Sequence, residues 1–382
     1  MKVCHFSSVH NRYDTRIFQK ECKSLAKAGY DVYYIVADGK TPEIVDGVHI
    51  ESVEFKAKNR AERILKSRDA ILGRVLSVDA DIYHFHDPEL LPIGLKLKRY
   101  KKTVIFDCHD DTVVDILEKH WIPSYLRKII AFAYKKYEGY VLPQLDSVIT
   151  VTPSIVERMS QIGIGAKMIT NYPIYSDWEN INADTFRTTK QSICFAGAIY
   201  SDWCHEIILD ALDQIKNVNY ILAGDSSMMP EYYEDLKKKP GWVHVEFLGK
   251  VSKEDVKKIY SRSIAGVVLH RYCASVGNNL GTLGNNKMFE LMASARPIIC
   301  TDFTLWKKIV DKWKVGLYVN PSDLNGIINA IRYIVDHPLE AQKMGENGRQ
   351  AVKTEYNWGT QEAVLLDLYE SLSHRNKLLR RH

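Results

Sequence analysis

The chain has 382 residues, which is long for one hydrophobic core and comfortable for two domains of ordinary size. Hydrophobic residues make up 46% of it and charged residues 26%, which excludes a disordered or fibrous protein. The formal net charge of +5 is mild and does not indicate nucleic-acid binding, which usually needs a concentrated basic patch.

The cysteines and the apolar runs set further bounds. The 7 cysteines occur singly, without a Cys-x-x-Cys pair, so we expect free thiols in a reducing cytoplasm. The N-terminal "MKVCHFSSVH" favours a first strand over a signal peptide. No apolar run of about 18 residues occurs, so no membrane span is predicted.

The first half of the chain alternates strand and helix signals. In chain order these are the strand "KVCHFSS", the helix "TRIFQKECKSLAKAG" closed by Gly29, the strands "DVYYIVA" and "ADIYHFH", the helix "PELLPIGLKLKRY", the strand "KTVIFDC", a helix over about 124–141 and the strand "SVITVT". Such alternation is typical of a parallel sheet covered by helices on both faces.

A polar segment without apolar period, "IYSDWENINADTFRTTK", interrupts this pattern, which restarts at "SICFAGAIY" and ends in a helical tail over about 325–378. We therefore predict an α/β fold of two Rossmann-like, doubly wound domains facing a central cleft, with the C-terminal helix packing back toward the N-domain. The predicted bounds are 1–174 for the N-terminal domain, 175–190 for the linker, 191–360 for the C-terminal domain and 361–382 for the closing helix and tail. Ligands of such sheets bind at the carboxyl ends of the strands.

The segment "GTLGNNKMFELMASARPIICTD", residues 281–302, is the strongest local signal for a ligand site. Gly281 and Gly284 allow close approach of the backbone, and a helix start offers unpaired N–H groups to a phosphate. Lys287 and Glu290 are both placed in the predicted first turn and on one helix face, where the lysine adds a cation and the carboxylate could accept ribose hydroxyls. A Gly/Asn loop with a surface lysine and a capping glutamate remains the alternative.

The same segment resembles the "NK-(L/M)-FE-x-MA-x-G-x-P" region of retaining GT-B glycosyltransferases of family four, of the bacterial polysaccharide-assembly type. The segments "SSVHNRYDTRIFQKECKSLAKAGYDV", "DADIYHFHDPELLPIGLKLKR", "VIFDCHDD", "ITNYP" and "YNWGTQEAVLLDLYESL" follow in the order of that family, so the resemblance covers nearly the whole chain.

The resemblance implies that Glu290 holds the donor ribose, as the second glutamate of the family's E-x7-E pattern. The first glutamate is replaced by Thr282, and Ser201 and Trp203 stand where the family has cations. The diphosphate would then be met by Lys287, Arg271 and Lys250, in that order. The remaining predicted donor-binding residues are Gly197, Gly281, Thr282, Leu283 and Gly284.

In the N-terminal domain the resemblance implies that His109 lies beside the donor sugar, so His109, Lys287 and Glu290 are the predicted catalytic residues. A histidine satisfied within its loop is the alternative. The predicted acceptor-side residues, for which a solvated basic loop is the alternative, are His10, Asn11, Arg12 and Arg16.

Two further patterns have competing interpretations. His84, His86 and Asp87 could suggest a metal, but no second cluster completes a site, so packing is preferred and no metal site is predicted. The stretch "HWIPSYLRKIIAFAYKKYEGYVL" favours a core helix with a basic outer face over a helix lying on a membrane surface. The tail "RNKLLRRH" adds basic charge that could favour an anionic leaflet.

The predicted function is transfer of a sugar from a nucleotide diphosphate donor, a UDP-sugar first, to a saccharide or lipid-linked saccharide. The resemblance implies retention of anomeric configuration, no metal and no cofactor. We expect a cytoplasmic protein, with peripheral contact to the cytoplasmic membrane face. A nucleotide-sugar epimerase and a non-catalytic GT-B module that binds a nucleotide or sugar remain as alternatives.

Overall fold

A computed structural model describes residues 1–54, 60–119, 122–181, 191–215 and 217–379. The chain divides into two units, Met1–Asn171 with Gly359–His382 as unit 1 and Tyr172–Trp358 as unit 2. The part of the predicted linker over 182–190 lies outside the described residues.

Unit 1 contains one sheet in the order β3-β4-β2-β1-β5-β6-β7-β8, parallel except for the pair β3–β4. Its strands are β1 (Lys2–Phe6), β2 (Asp31–Val36), β3 (Glu43–Val45), β4 (Val48–Ser52), β5 (Ile82–Phe85), β6 (Thr103–Cys108), β7 (Ser147–Thr150) and β8 (Lys167–Met168). The strands β5 and β6 are buried along their whole length, as expected for a parallel sheet covered on both faces.

The connecting helices of unit 1 are α1 (Lys23–Lys27), α2 (Arg60–Val78), α3 (Leu91–Arg99), α4 (Thr112–Glu118), α5 (Ser124–Val141) and α6 (Pro153–Gln161). The first predicted helix begins as a π-helix over Ile17–Cys22, which leads directly into α1. Gly29, at φ +88°, follows α1 as the predicted glycine stop. The sequence did not reveal β3, β4 or α2.

Unit 2 contains a parallel sheet in the order β11-β10-β9-β12-β13-β14. Its strands are β9 (Ser192–Ala196), β10 (Asn219–Ala223), β11 (Val245–Gly249), β12 (Ala265–Val268), β13 (Ile298–Thr301) and β14 (Gly316–Val319). Its helices are α7 (His205–Ile215), α8 (Pro230–Lys237), α9 (Lys253–Ser261), α10 (Asn286–Ala293), α11 (Thr304–Trp313), α12 (Leu324–Asp336) and α13 (Pro338–Thr354).

The last helix, α14 (Trp358–Leu379), returns to unit 1, as predicted. Tyr369 of α14 is fully buried, and its hydroxyl lies 2.9 Å from His84 Nδ1 and 3.1 Å from His5 Nε2. The predicted helical tail is therefore three helices, of which only the last belongs to unit 1.

Both sheets have a switch point in strand order, where ligands of doubly wound sheets bind. In unit 1, β1 lies between β2 and β5. In unit 2, β9 lies between β10 and β12. The loops after β1 and β5, and those after β9 and β12, are the places at which functional side chains should be sought.

Candidate functional site

The loop before α10 has its own hydrogen-bonding scheme. Gly281 has φ +81°, and a Cβ there would collide with Phe303. Thr282 Oγ1 accepts the N–H of Gly284 at 3.0 Å, and the Thr282 carbonyl accepts Trp306 Nε1–H at 2.7 Å. The threonine that replaces the family's glutamate therefore shapes the loop, while Leu283 packs partly against the core.

The helix α10 begins where the sequence predicts, with Asn285 as its cap. The Asn285 side chain accepts the N–H of Lys287 at 3.1 Å. Lys287 is the second residue of the helix, but Glu290 is the fifth, so its placement in the first turn was wrong. Glu290 is half-buried, and its charge adds to burial in raising the pKa of Tyr260.

Lys287 points back over the end of β9. Its Nζ lies 4.4 Å from the ring centroid of Trp203 and 5.6 Å from that of Phe195, and a Cβ on Gly197 would collide with its Cε. Loss of solvent lowers the pKa of Lys287, and Glu290 offsets part of that effect. Within the described part of the chain, Nζ has no hydrogen bond or ion pair.

Trp203 stands where the resemblance implies a cation, and it lies beside Lys287. Its side chain is buried, and its ring forms the platform on which the Lys287 ammonium rests, a favourable cation–π arrangement. The glycine at position 197 leaves the space that the lysine stem occupies.

The other two predicted cations lie differently. Arg271 forms an ion pair with Glu206, which raises the pKa of the arginine. The backbone N–H of Arg271 donates to the Asp202 carbonyl at 2.8 Å. The Lys250 side chain is 82% exposed, and its nearest carboxylate, Asp225, is 3.9 Å away. Of the three, Lys287 alone stands at the start of α10.

In unit 1, a pocket of about 520 Å³ opens at the ends of β5 and β6, and His10, Asp87, Asp107 and His109 are among the residues that line it. His109 follows β6 directly, and its Nδ1 lies 3.5 Å from Asp107 Oδ2. Burial would lower the pKa of His109, but Asp107 outweighs it and raises the pKa to about 9. At neutral pH this imidazole is a cation.

Asp107 is the centre of that side of the pocket, although the sequence did not single it out. It accepts two hydrogen bonds from Arg16, from Nε at 2.7 Å and from the terminal nitrogen at 3.0 Å, and lies 3.1 Å from His86 Nδ1. Although burial opposes ionisation, Arg16 and the histidines hold the pKa of Asp107 well below its usual value. Asp107 is the first aspartate of "DCHDD", but the sequence did not indicate that it pairs with Arg16, which lies 91 positions earlier.

The predicted acceptor-side loop is not a solvated basic loop. Arg16 is buried against Asp107, and Arg12 is buried with hydrogen bonds to Asp38 at 2.7 Å and Glu43 at 2.5 Å. Asn11 is exposed.

His10 reaches the pocket with its ring 5.1 Å from that of His109. Its Nδ1 lies 3.2 Å from Asp14 Oδ2, and its Nε2 lies 3.6 Å from Asp87 Oδ1. Burial would lower the pKa of His10, but its contact with Asp14 and the charge of Asp87 raise it.

His84 and His86 share one face of β5 and its extension, as the alternation predicts, with ring centroids 4.6 Å apart. Both are buried. Asp87 instead accepts the Ser7 hydroxyl at 2.7 Å and the Ser8 N–H at 2.6 Å, which fixes the loop after β1.

The helix α5 contradicts the preferred interpretation of its sequence as a core helix with a basic outer face. Its exposed side chains include Tyr125 at 66%, Ile129 at 61% and Phe132 at 64%, beside the exposed Lys128 and Lys135. Trp121, in the same predicted stretch, lies outside the described residues. None of the helices that the structure describes is both long and apolar enough to cross a bilayer.

Two family models match the chain in succession. "Glycosyltransferase Family 4" matches residues 16–172, and "Glycosyl transferases group 1" matches residues 176–351. Among curated relatives, the glycogen synthase of Mycobacterium tuberculosis is 21% identical over 307 residues, 78% of this chain and 70% of that protein. The phosphatidyl-myo-inositol mannosyltransferase of Mycobacterium leprae is 23% identical over 175 residues, 44% of this chain and 42% of that protein.

Solved structures confirm the two-domain GT-B fold. The sucrose-phosphate synthase of Thermosynechococcus elongatus superposes with a TM-score of 0.78 at 17% identity, over 98% of this chain and 99% of that one. The Anabaena protein HepE in complex with UDP and glucose gives a TM-score of 0.72 at 13% identity, over 97% of this chain and 100% of that one. With the two family models covering most of its length, the chain belongs to the group 1, family 4 type of GT-B glycosyltransferases.

Proposed function

We propose that this glycosyltransferase transfers a sugar from a nucleoside diphosphate donor, a UDP-sugar first, to a saccharide or lipid-linked saccharide. The transfer retains the anomeric configuration and needs no metal. The observation that carries the proposal is Lys287, a half-buried ammonium at the start of α10 that has no ion pair among the described residues. A cation kept out of water without a carboxylate is suited to an anionic ligand.

On the donor side, Lys287 and the first N–H groups of α10 would bind the diphosphate. The leaving diphosphate gains negative charge in the transition state, and a fixed cation with fixed amides stabilises that charge without reorganising. Glu290, one turn further along the helix, would accept hydroxyl hydrogen bonds from the ribose.

The nucleotide preference rests on likeness alone. The Anabaena HepE structure, of the same fold, holds UDP and glucose, which supports UDP as the first candidate. The replacement of the family's glutamate by Thr282 leaves the sugar open, because the Thr282 hydroxyl is engaged with Gly284.

On the acceptor side, His109 would act as a hydrogen-bond donor beside the transferred sugar. Because the pKa of its side chain is raised to about 9, it is suited to donate a proton in a hydrogen bond and unsuited to abstract one at neutral pH. In the front-face mechanism proposed for such enzymes, a departing phosphate oxygen takes the acceptor proton. No protein base is then required.

The pocket beside His109 would receive part of the acceptor. His10 lines this pocket and Asn11 is exposed in the same loop, whereas Arg12 and Arg16 hold the loop through their ion pairs. A lipid-linked acceptor would suit the exposed aromatic and aliphatic side chains of α5, which alternate with lysines. Sedimentation with anionic vesicles should be reduced by Phe132→Ser if α5 contacts the membrane.

The test is a thermal-shift panel of UDP, GDP, ADP and their sugars in EDTA, on the wild type and on Lys287→Ala. A ligand at a hundred times its Kd stabilises by about 2.7 kcal/mol, which is readily measured. Lys343→Ala, which removes an exposed lysine of α13 in the same unit, is the matched control. One diphosphate should stabilise the wild type and the control but not Lys287→Ala.

The chemistry is tested on the product. With the donor so identified, NMR of the product's anomeric proton distinguishes retention from inversion, and turnover in EDTA tests metal independence. Absence of any nucleotide response would overturn the proposed donor site. Turnover that requires added magnesium would overturn the metal-free mechanism and leave the donor site standing.

A further inference from the structure

Next to the pocket of unit 1, and sharing His86 with its lining, lies a cluster to which the proposed reaction assigns no role, formed by His5, Glu21, His84 and His86. All four side chains are buried. Each offers one ligand atom, and the four atoms lie within 4.8 Å of one another. They come from three separate places in the chain: β1, the π-helical segment, and β5 with the residue that follows it.

The separations suit a small metal ion. His5 Nδ1 lies 3.0 Å from His86 Nε2, and Glu21 Oε2 lies 3.9 Å from His5 Nδ1 and 4.0 Å from His86 Nε2. Nitrogen and oxygen ligands at roughly 2.0–2.1 Å in a tetrahedral site are roughly 3.3–3.4 Å apart. The observed distances straddle that value, so small side-chain shifts would complete the site.

Acceptors outside the cluster contact the far nitrogens of His5 and His86, and the Tyr369 hydroxyl also lies 2.9 Å from His84 Nδ1. Asp107 Oδ2 lies 3.1 Å from His86 Nδ1, and the Tyr369 hydroxyl lies 3.1 Å from His5 Nε2. A carboxylate or hydroxyl that holds the outer N–H leaves a lone pair on the inner nitrogen, which is the usual outer arrangement around a metal-bound histidine. The inner nitrogens of His5 and His86 then face each other at 3.0 Å, where either a shared proton or a metal ion would relieve the contact of two lone pairs.

Glu21 distinguishes this arrangement from a chain of hydrogen bonds. Such a chain from Tyr369 through His5 to His86 would satisfy the histidines, but neither carboxylate oxygen of Glu21 makes a hydrogen bond within the described part of the chain. Arg16 is its ion-pair partner, at 3.2 Å from Oε1, on the side away from the histidines' contacts with Oε2. A buried carboxylate with an unused oxygen is costly unless it binds something.

We propose that His5, Glu21, His84 and His86 bind one divalent transition-metal ion, zinc first. Three imidazoles and a carboxylate are ligands that zinc prefers, and a site with four protein ligands and no exposure is closed, so its role is structural. The ion would tie β1, β5 and the segment Ile17–Cys22 together and, through Tyr369, hold α14 against unit 1. This site is separate from the metal-free transfer proposed above, and neither depends on the other.

The first test is the metal content of the full-length protein, purified without chelator from cells grown with added zinc. We expect about one zinc per chain by mass spectrometry, and an anomalous difference peak at the zinc edge among the four side chains in crystals. Refolding in Co2+ should give the intense visible absorption of a tetrahedral cobalt site. Less than one tenth of an ion per chain, after both growth in zinc and refolding with it, would overturn the proposal in favour of the hydrogen-bond chain.

The second test uses variants. Glu21→Gln and His84→Gln should each reduce bound zinc at least tenfold, whereas His49→Gln, a partly exposed histidine on β4, should not change it. Retention of zinc by both cluster variants would overturn the assignment of ligands. If a cluster variant does not fold, the anomalous peak in the wild type still decides, because it either lies among these four residues or does not.

Discussion

The two units place charge at their switch points in opposite ways. In unit 1, Asp107 is surrounded by Arg16, His86 and His109, so each charge has a partner already in place. In unit 2, Lys287 rests on Trp203 over Gly197, with no anion bound to its Nζ among the described residues. The first arrangement stabilises the fold before any ligand arrives, whereas the second leaves the Lys287 ammonium with a desolvation cost that a bound anion would offset.

The largest effect should come from breaking the paired arrangement. Asp107→Asn keeps the shape of the side chain but leaves the buried Arg16 without its principal partner. We expect a loss of about 3–5 kcal/mol in the free energy of unfolding, the usual cost of removing one member of a buried pair. Urea denaturation measures it, and a loss below about 1 kcal/mol would show that Arg16 is satisfied by Glu21 alone.

Removing the charge of Lys287 in unit 2 should have the opposite result, with little effect on stability and a large effect on activity. Lys287→Met removes a cation that bears a desolvation cost, so thermal stability without ligand should be unchanged or slightly higher. The kcat/KM should fall by roughly 10²–10³, the effect of removing one group that stabilises transition-state charge. Steady-state kinetics and a melting curve on the same sample test both parts, and a clear drop in melting temperature would contradict the contrast between units.

A pH titration should reveal the pairing of His109. The folded pKa of about 9 lies above the unfolded value of 6.5, so the protonated histidine stabilises the fold fully below about pH 6.5. That contribution is lost as pH rises through 9, by at most about 3 kcal/mol for a shift of this size. The difference in urea midpoint between the wild type and His109→Gln should therefore shrink from pH 6 to pH 9.5, and a constant difference would show that the histidine is neutral throughout.

The smallest effect is expected at the rim of unit 1. Glu43 pairs with Arg12 at 2.5 Å, but it is partly exposed and Arg12 keeps Asp38. Glu43→Gln should leave the midpoint of urea unfolding almost unchanged, because a solvent-screened ion pair contributes little to stability. It serves as the control for Asp107→Asn, because both replace a carboxylate that binds an arginine of the same loop.

The sequence predicted the alternation of strands and helices because buried parallel strands and amphipathic helices have different apolar periods. It also predicted Lys287 at a helix start, because Gly281, Gly284 and the asparagines mark the loop before it. It did not predict that Trp203 would support the lysine, or that Arg16 would be buried beneath Asp107. Those contacts join positions far apart in the chain, and residue type alone indicated that Arg16 was either an acceptor-side residue or part of a solvated basic loop.

The prediction that α5 is a core helix was wrong for a related reason. Its apolar residues recur at a spacing that suits a core-facing stripe, yet Ala131, Glu138 and Val141 are the side chains that it buries. Periodicity indicates that a helix has an apolar face but does not say what covers that face.

The return of α14 to unit 1 makes that unit discontinuous in the chain, with all of unit 2 inserted before its last helix. During synthesis, unit 2 can complete its fold while unit 1 still lacks Tyr369 and leaves the histidines of β1 and β5 uncovered. Completion of unit 1 must therefore wait until α14 has been synthesised. A nascent chain that ends before α14 would therefore hold all of unit 2 but only part of unit 1.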